Sequence, residues 1–245
     1  MQGLPEPLVR SPQVQLALRA IKATCAPPPV QKAPVTLQIL QSWLKLLKTD
    51  PDNLLWTAVF TLAFFAGLRG AEYTAQGTKG TQGYPTLARL SFSTLDDEPV
   101  VYYTVPSSKT SVHGFRVPLA CTKHWLCPYC AIVRYINFRS THGPLPKEAP
   151  LFVLPNDSHI TKAQVDAKLK HLCSLTGLNA GNYSTHSIRA GAASTAAELG
   201  FADWEIMRLG GWKSSAYRAY IRKLDKHVSN FPARLVSSAA RTQPE

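Results

Sequence analysis

The sequence predicts a mainly helical α+β protein with one small antiparallel sheet. Apolar residues recur at helical spacing through most of the 245 residues, whereas residues 86–119 contain short β-rich runs separated by polar turns. Hydrophobic residues make up 45% and charged residues 17% of the chain, without a low-complexity stretch. That balance is typical of a folded protein with one main core and excludes extensive disorder.

The first 34 residues are predicted to form a short helix and a linker. Residues 11–24 have apolar side chains at helical spacing, and three consecutive prolines at 27–29 end the pattern. Each proline biases the residue before it away from helix, so an extended linker follows up to Pro34. We therefore place a boundary near residue 34.

The middle of the chain predicts two helices and then the sheet. Residues 36–48 have a helical apolar pattern with Thr36 placed as its N-cap. The apolar run 54–68 predicts a buried helix that starts after an Asp-Pro-Asp turn and ends at Gly67. Short β-rich runs then predict three strands, at 87–92, 100–105 and 115–119.

The C-terminal half is predicted to be mostly helical. The patterns predict a short strand at 151–154, a patternless tail at 230–245, and helices at 127–139, 161–176, 185–199, 202–209 and 214–224.

The net charge indicates the class of binding partner, and the cysteine content indicates the cellular compartment. The net charge is +12, of which residues 108–245 contribute +10. A one-sign field of this size attracts polyanions, so nucleic acid or an anionic membrane surface is the expected partner. No N-terminal signal is visible, and the longest apolar run is shorter than the roughly 20 residues that cross a bilayer. The odd number of cysteines, 5, favours reduced thiols in an intracellular compartment.

Two residues near the C-terminus have the chemistry of a phosphate site. His186 and Arg189 are three residues apart in a helical pattern, so they share a face and can point at one anion. An arginine suits phosphate because its planar fork donates two parallel hydrogen bonds and stays charged. Spacing by three is common in helices, so the pair gains weight only from what accompanies it.

Three further residues accompany the pair. Arg69 directly follows the buried apolar helix, and the carboxylate of Glu72 is placed to hold it. Lys109 lies in the polar turn before strand 115–119, at the predicted tip of a hairpin. The chain thus supplies two arginines, a lysine and a histidine, followed by the tyrosines of the segment 216–222.

Two motifs in the C-terminal half, in this order and spacing, resemble those of tyrosine recombinases, the phage-integrase family. They are His-Ser-Ile-Arg-Ala-Gly-Ala-Ala (186–193) and Leu-Gly-Gly-Trp-Lys-Ser-Ser-Ala-Tyr-Arg-Ala-Tyr-Ile-Arg (209–222). Their sequences are similar to the corresponding motifs in the recombinases of DIRS-like retrotransposons. The resemblance covers residues 35–224 and implies the DNA breaking-rejoining catalytic core fold. It implies a catalytic domain at 35–229, preceded at 1–34 by a remnant of the core-binding domain with its linker and followed by the tail.

The resemblance also implies the reaction and its residues. The implied catalytic residues are Arg69, Lys109, His186, Arg189, Trp212 and Tyr220, with Glu72 in support. Tyr220 would attack the scissile phosphate and form a 3′-phosphotyrosyl bond, without metal or cofactor. The arginines would stabilise charge on the phosphate, Lys109 would protonate the leaving oxygen, and His186 would assist removal of the phenol proton.

Two assignments remain open at this point. The family usually has His or Trp nine residues before the tyrosine, but that position is Gly211 and Trp212 is one residue closer. Tyr217 precedes Tyr220 by three residues and is the rival nucleophile, although the family pattern favours Tyr220.

The spacing of Cys121, His124, Cys127 and Cys130 raises the question of zinc. Four ligands within ten residues at the start of a helix predict crowding, which favours no metal and one or two cysteines packed in the core.

The resemblance implies that the partner is double-stranded DNA, that the protein forms a homo-tetramer on DNA, that no membrane is involved, and that the protein is located in the nucleus.

Two functions stay in competition: an active recombinase, and a truncated or domesticated DNA-binding protein that does not cut. The intact catalytic positions favour the first, whereas the shortness of the N-terminal domain favours the second. A type IB topoisomerase, which uses similar chemistry, ranks third.

Overall fold

The structure is a computed structural model that describes residues 11–25, 31–48, 53–76, 83–106 and 114–221. Within those ranges the α-helices are α1 (Pro12–Cys25), α2 (Leu37–Leu47), α3 (Leu54–Phe65), α4 (Gly70–Tyr73), α5 (Pro128–Ser140), α6 (Lys162–Leu175), α7 (Thr185–Glu198) and α8 (Asp203–Gly210). The strands are β1 (Leu90–Leu95), β2 (Glu98–Val105) and β3 (Phe115–Ala120). The predicted mainly helical α+β fold with a small antiparallel sheet is confirmed.

Helix α1 belongs to one compact unit, and the residues described from Lys32 onward form a second. In the second unit, helix α2 starts where the sequence predicts, because Thr36 Oγ1 accepts a hydrogen bond from the Ile39 N–H at 3.3 Å. Helix α6 starts at a capping box, in which Thr161 and Gln164 bond each other's backbone N–H.

Helix α3 lies at the centre of the main core. Eight of its residues, from Leu55 to Phe64, are buried, as an apolar pattern on all sides of a helix predicts. It packs against α2, α5 and α7. The chain leaves α3 through Gly67, whose φ of 56° is a left-handed conformation that glycine adopts without a steric penalty.

The three strands form one sheet in the order β1-β2-β3, with both pairs antiparallel. Val101 pairs with Phe92 on one side and with Leu119 on the other. Buried and exposed residues alternate through β3, as expected for a sheet with one face on the core.

Three predicted elements differ in the structure. Residues Leu87–Arg89 form a 3-10 helix, so the first strand begins three residues later than predicted. In the part of the chain that the structure describes, residues 151–154 make only an isolated bridge, between Val153 and His159, and no strand continues the pairing. The predicted helix 214–224 is a 3-10 helix at Ser215–Tyr220 in its described part.

Helices α7 and α8 and the 3-10 helix Ser215–Tyr220 pack together around a second, smaller cluster. The buried members of this cluster are Ala193, Ala196, Ile206, Trp212 and Tyr217. The predicted tail 230–245 lies outside the described residues. None of the described helices has both the length and the apolar character that a membrane span requires.

Candidate active site

Arg69 is placed by the turn that joins α3 to α4. It is the N-cap of α4, and its backbone N–H donates to Glu72 Oε2 at 2.7 Å. Its Nη1 donates to the other carboxylate oxygen, Glu72 Oε1, at 2.8 Å. The Glu72 carboxylate therefore caps the helix and orients the arginine together, as the sequence predicts for this pair. The Arg69 side chain stays 41% exposed, so its remaining donors can reach a ligand.

The sheet supports this turn from the other side. The Glu72 carbonyl accepts a hydrogen bond from the Tyr103 hydroxyl at 2.6 Å and one from Arg89 Nη1 at 2.7 Å. Tyr103 is fully buried in β2, and burial is the main cause that raises the pKa of its phenol to about 12. Two side chains from the sheet region thus fix the backbone that carries Glu72.

Arg189 is the most unusual residue of the site because its side chain is completely buried. Helix α7 delivers it to the point where the ends of α3 and α8 meet. Its Nη1 donates to the carbonyl of Gly67 and, at 2.9 Å, to the carbonyl of Gly210. Its Nε and Nη2 are buried and have no hydrogen-bond partner among the residues that the structure describes. One nitrogen therefore anchors the guanidinium, while the adjacent pair of donors is left for a ligand.

Charge repulsion shows that the two arginines are near each other. Burial, and secondly repulsion from Arg69, lower the pKa of Arg189 to about 10, against the opposing effects of Glu72 and Tyr220. The Tyr220 phenol lies near the Arg189 guanidinium but makes no hydrogen bond of ordinary geometry with it. Arg189 keeps its charge at neutral pH, and a bound anion would relieve the repulsion.

Trp212 is held beside Arg189 by the turn that follows α8. Helix α8 ends at Gly211, whose φ of 64° is the left-handed C-cap conformation. The turn packs Trp212 so closely on Gly210 that a Cβ at residue 210 would overlap the indole ring. The Arg189 guanidinium carbon lies 3.8 Å from the centre of the Trp212 ring, a cation–π contact.

Tyr220 lies at the end of the last described helix and faces the same region. Its ring centre is 5.0 Å from that of His186 and 6.0 Å from that of Trp212. The backbone carbonyl of Tyr220 accepts a hydrogen bond from Ser194 Oγ at 2.7 Å, which ties the tyrosine to α7. His186 is exposed on the first turn of α7, and Tyr220 is half-buried.

The rival tyrosine is turned into the protein. Tyr217 is only 1% exposed and packs against Trp212 with the ring centres 6.1 Å apart. Burial, followed by the neighbouring Asp203 carboxylate, raises the pKa of its phenol. A buried phenol with a raised pKa is a poor nucleophile, so the geometry favours Tyr220.

The structure brings together five of the six residues that the resemblance implies: Arg69, His186, Arg189, Trp212 and Tyr220. Lys109 lies outside the described residues, in the connection between β2 and β3. Sequence reasoning missed Ser194 and the carbonyl groups of Gly67 and Gly210. The only sequence signal for the two carbonyl groups was that each belongs to a glycine next to a motif. Ser194 gave no signal, because serines are common in helices.

Two comparisons of the sequence with known proteins found nothing: no family model matches it, and no curated protein matches it.

Solved structures do match the fold. A XerH site-specific recombinase bound to its difH substrate is 16% identical, with a TM-score of 0.55 over 81% of this chain and 53% of that chain. A XerA recombinase is 17% identical, with a TM-score of 0.56 over 94% of this chain and 74% of that chain. A lambda integrase dimer bound to a COC' core site is 16% identical, with a TM-score of 0.54 over 82% of this chain and 51% of that chain.

The chain spans about half the length of the XerH and lambda integrase chains that it matches. The likeness is one of backbone structure, because the sequence identity to these three structures is only 16 to 17%. The chain therefore has the tyrosine recombinase catalytic-core fold that its C-terminal motifs predict.

Proposed function

We propose that this chain is the catalytic domain of a site-specific DNA recombinase that acts through a 3′-phosphotyrosyl intermediate on Tyr220. The observation that carries the proposal is the buried Arg189 guanidinium, anchored by Nη1 to two carbonyl groups while Nε and Nη2 have no partner among the described residues. Two adjacent donors on one edge of a guanidinium match two oxygens of a phosphate. The Tyr220 phenol lies near the Arg189 guanidinium, and the His186 ring centre is 5.0 Å from that of Tyr220.

In the first step the Tyr220 hydroxyl oxygen attacks the scissile phosphorus, and the bond from phosphorus to the 5′-oxygen breaks. His186 accepts the phenol proton, and the 5′-oxygen leaves as a hydroxyl after Lys109 gives it a proton. In the second step the 5′-hydroxyl of another strand attacks the phosphotyrosine and releases Tyr220. The phosphodiester bond energy is kept in the covalent link, so neither step needs a metal or ATP.

The arginines supply most of the stabilisation in this scheme. Negative charge grows on the phosphate oxygens in the transition state, and fixed donors aimed at that charge are usually the largest catalytic contribution. Arg189 is fixed by carbonyl groups and by Trp212, and Arg69 is fixed by Glu72. Neither guanidinium has to turn when the phosphate arrives, which is the physical advantage of this arrangement. The groups that cover the buried Nε and Nη2 of Arg189 must move aside for the phosphate to reach them.

We propose double-stranded DNA as the partner and a homo-tetramer as the working assembly. The matched XerH and lambda integrase structures are DNA complexes, the latter with a dimer. The net charge of +12 suits a polyanion. We further propose that the chain derives from a DIRS-like mobile element and acts in the nucleus, from the wording of its motifs.

The test is covalent capture on DNA duplexes of mixed sequence with a 5′-bridging phosphorothiolate, whose sulfur leaves without a general acid. We expect a covalent protein–DNA adduct, with the phosphonucleotide on Tyr220 by peptide mass spectrometry. Tyr220→Phe should abolish the adduct, and the matched Tyr217→Phe variant should keep it.

An adduct on Tyr217 would overturn the assignment of the nucleophile. If no adduct forms, although the protein binds the duplex and a known recombinase reacts in parallel, the chain binds DNA without cutting it. That outcome would select the truncated or domesticated DNA-binding protein.

A further inference from the structure

Three cysteine thiols converge at a place remote in sequence from the tyrosine site. Cys121 directly follows β3, Cys127 is the N-cap of α5, and Cys130 lies in the first turn of α5. The three Sγ atoms lie within 4.8 Å of one another, and those of Cys121 and Cys130 are 3.5 Å apart. All three thiols are free, Cys127 is buried, and the other two are half-buried.

This spacing is close to what a tetrahedral zinc ion requires. With Zn–S bonds of about 2.3 Å, two sulfur ligands of one tetrahedral ion are roughly 3.8 Å apart. The Cys121–Cys130 separation of 3.5 Å is slightly shorter than that value, and the other two separations do not exceed 4.8 Å. Side-chain adjustments of about 1 Å or less would therefore seat the ion. Soft thiolate ligands in this number select zinc over magnesium or calcium, which prefer oxygen.

The sequence pattern predicts crowding at the start of a helix, but the structure has none. Cys121 comes from the end of a strand, and only Cys130 lies within the helix. The loop between them turns back, so that a strand end and a helix start meet at one point. The buried position of Cys127 agrees with the prediction that one or two of these cysteines pack in the core, and Cys121 and Cys130 are half-buried.

Backbone groups already hold the central sulfur. The Thr122 N–H donates to Cys127 Sγ at 3.2 Å, and the Cys130 N–H donates to the same sulfur at 3.5 Å. Donors aimed at a sulfur favour its thiolate form, which is the form that binds a metal. These contacts fix Cys127 through the backbone of the loop and not through flexible side chains.

His124 lies in the same loop and is the natural fourth ligand. It is outside the cluster of three sulfurs, and its Nδ1 accepts a hydrogen bond from the Leu126 N–H at 3.2 Å. The ring would have to leave that N–H to reach the ion. Three cysteines and one histidine are a known ligand set for structural zinc.

We propose that Cys121, Cys127 and Cys130 bind one structural Zn²⁺ ion, with His124 completing the tetrahedron. Binding releases three thiol protons, and neutral imidazole supplies the fourth pair of electrons. The ion would join the end of β3 to the start of α5, and α5 packs on the central helix α3. The site is independent of the proposed strand transfer and takes no part in it.

The first measurement is the metal content of the full chain, purified under reducing conditions without chelator from zinc-supplemented cells. We expect one zinc per chain by inductively coupled plasma mass spectrometry. Cys121→Ser and Cys130→Ser should each lower that content at least tenfold. The matched control is Cys173→Ala, because Cys173 is a free cysteine buried in α6, and it should leave the zinc content unchanged.

A second measurement needs no variant, so a variant that fails to fold does not weaken the test. Zinc is removed from the wild-type chain with a chelator, and Co²⁺ is added under argon. We expect a thiolate-to-cobalt charge-transfer band and the strong visible bands of tetrahedral Co²⁺. We also expect the chelator to lower the melting temperature and zinc to restore it, because an ion that binds only the folded state stabilises it.

Three results would overturn the site. They are less than one zinc per ten chains, cobalt spectra of the octahedral aqueous type, and a Cys121–Cys130 disulfide that persists through the reducing purification. In the last case the thiol count after denaturation without reductant would be two lower than the number of cysteines. For His124→Ala we expect at least tenfold weaker zinc binding, and an unchanged affinity would remove His124 from the ligand set.

Discussion

The guanidinium carbon of Arg189 lies 3.8 Å from the centre of the Trp212 ring, inside the protein. The two residues come from different helical segments: α7 supplies the arginine, and the turn after α8 supplies the tryptophan. A cation on an aromatic face in a desolvated setting is worth about 2 kcal/mol. Because the Trp212 ring also lies 6.0 Å from that of Tyr220, we expect a shift of Trp212 to displace the proposed nucleophile.

The first prediction concerns Arg189→Lys. A lysine ammonium cannot donate to the Gly67 and Gly210 carbonyls and also present two parallel donors to a phosphate. We expect adduct formation on the phosphorothiolate duplex to fall by about 10²–10³-fold. We also expect the free energy of unfolding to fall by roughly 2 kcal/mol, because hydrogen bonds from a buried charge are lost.

The matched control for this substitution is Arg139→Lys. Arg139 Nη1 donates to the carbonyls of Pro150 and Leu151, at 2.5 and 3.0 Å, so this side chain is also bound to two backbone carbonyl groups. The substitution Arg139→Lys should lower the free energy of unfolding by a similar amount and leave adduct formation nearly unchanged. Equal losses of adduct in both variants would mean that Arg189 acts only through stability.

The second prediction concerns Gly210→Ala. Its Cβ would overlap the Trp212 ring, so the indole must move and the contact with Arg189 must change. We expect a loss of about 1–3 kcal/mol in unfolding free energy and at least tenfold less adduct on Tyr220. The control is Gly177→Ala, where nothing lies within 4 Å and only the φ of 70° is unfavourable. If Gly177→Ala reduces the adduct as much, the overlap with Trp212 is not the cause.

The residues on which the site depends are in part visible in the sequence. The apolar helix that ends at Gly67 and the cap at Thr36 follow from local pattern, and the structure places both as predicted. The pairing of Arg69 with Glu72 also follows from spacing. Such features depend on neighbours within one or two turns, so the sequence alone contains the needed information.

Other features depend on contacts between distant segments. The carbonyl groups that anchor Arg189 are 122 and 21 residues away along the chain. The segment 151–154 has a strand-like pattern but meets no partner strand, and the 3-10 turn at Ser215–Tyr220 has a helix-like pattern. In these segments the hydrogen-bond partners that the rest of the fold supplies, and not local propensity, decide the secondary structure.

The third prediction concerns Ser194→Ala. The Ser194 hydroxyl donates to the Tyr220 carbonyl at 2.7 Å, and this bond holds the segment of Tyr220, the proposed nucleophile, on α7. We expect a loss of about 1 kcal/mol in unfolding free energy and several-fold slower adduct formation, with DNA affinity unchanged. In the control Ser174→Ala, an exposed serine of α6 loses its bond to the Lys170 carbonyl, and adduct formation should not slow. A Ser194→Ala variant that reacts at the wild-type rate would show that other contacts position Tyr220.

The last prediction is a pH dependence of stability that comes from Tyr103. Its phenol ionises at about 12 in the folded protein, mainly because of burial, against 10.0 for an exposed tyrosine. Since the folded pKa is the higher one, the stabilisation by the protonated phenol is complete below pH 10 and is lost between pH 10 and about 12. The loss should be at most about 1.4 kcal/mol per pH unit for this one group.

Tyr103→Phe removes the hydroxyl that bonds the Glu72 carbonyl, so it should be less stable than the wild type by about 1 kcal/mol at neutral pH. Above pH 10 the difference should shrink, because only the wild type has a Tyr103 phenol that the unfolded chain ionises more readily. Urea unfolding of both proteins at pH about 8 and about 10.5 measures this difference. A difference that stays constant between these two pH values would mean that the Tyr103 phenol ionises equally easily in the folded and the unfolded chain.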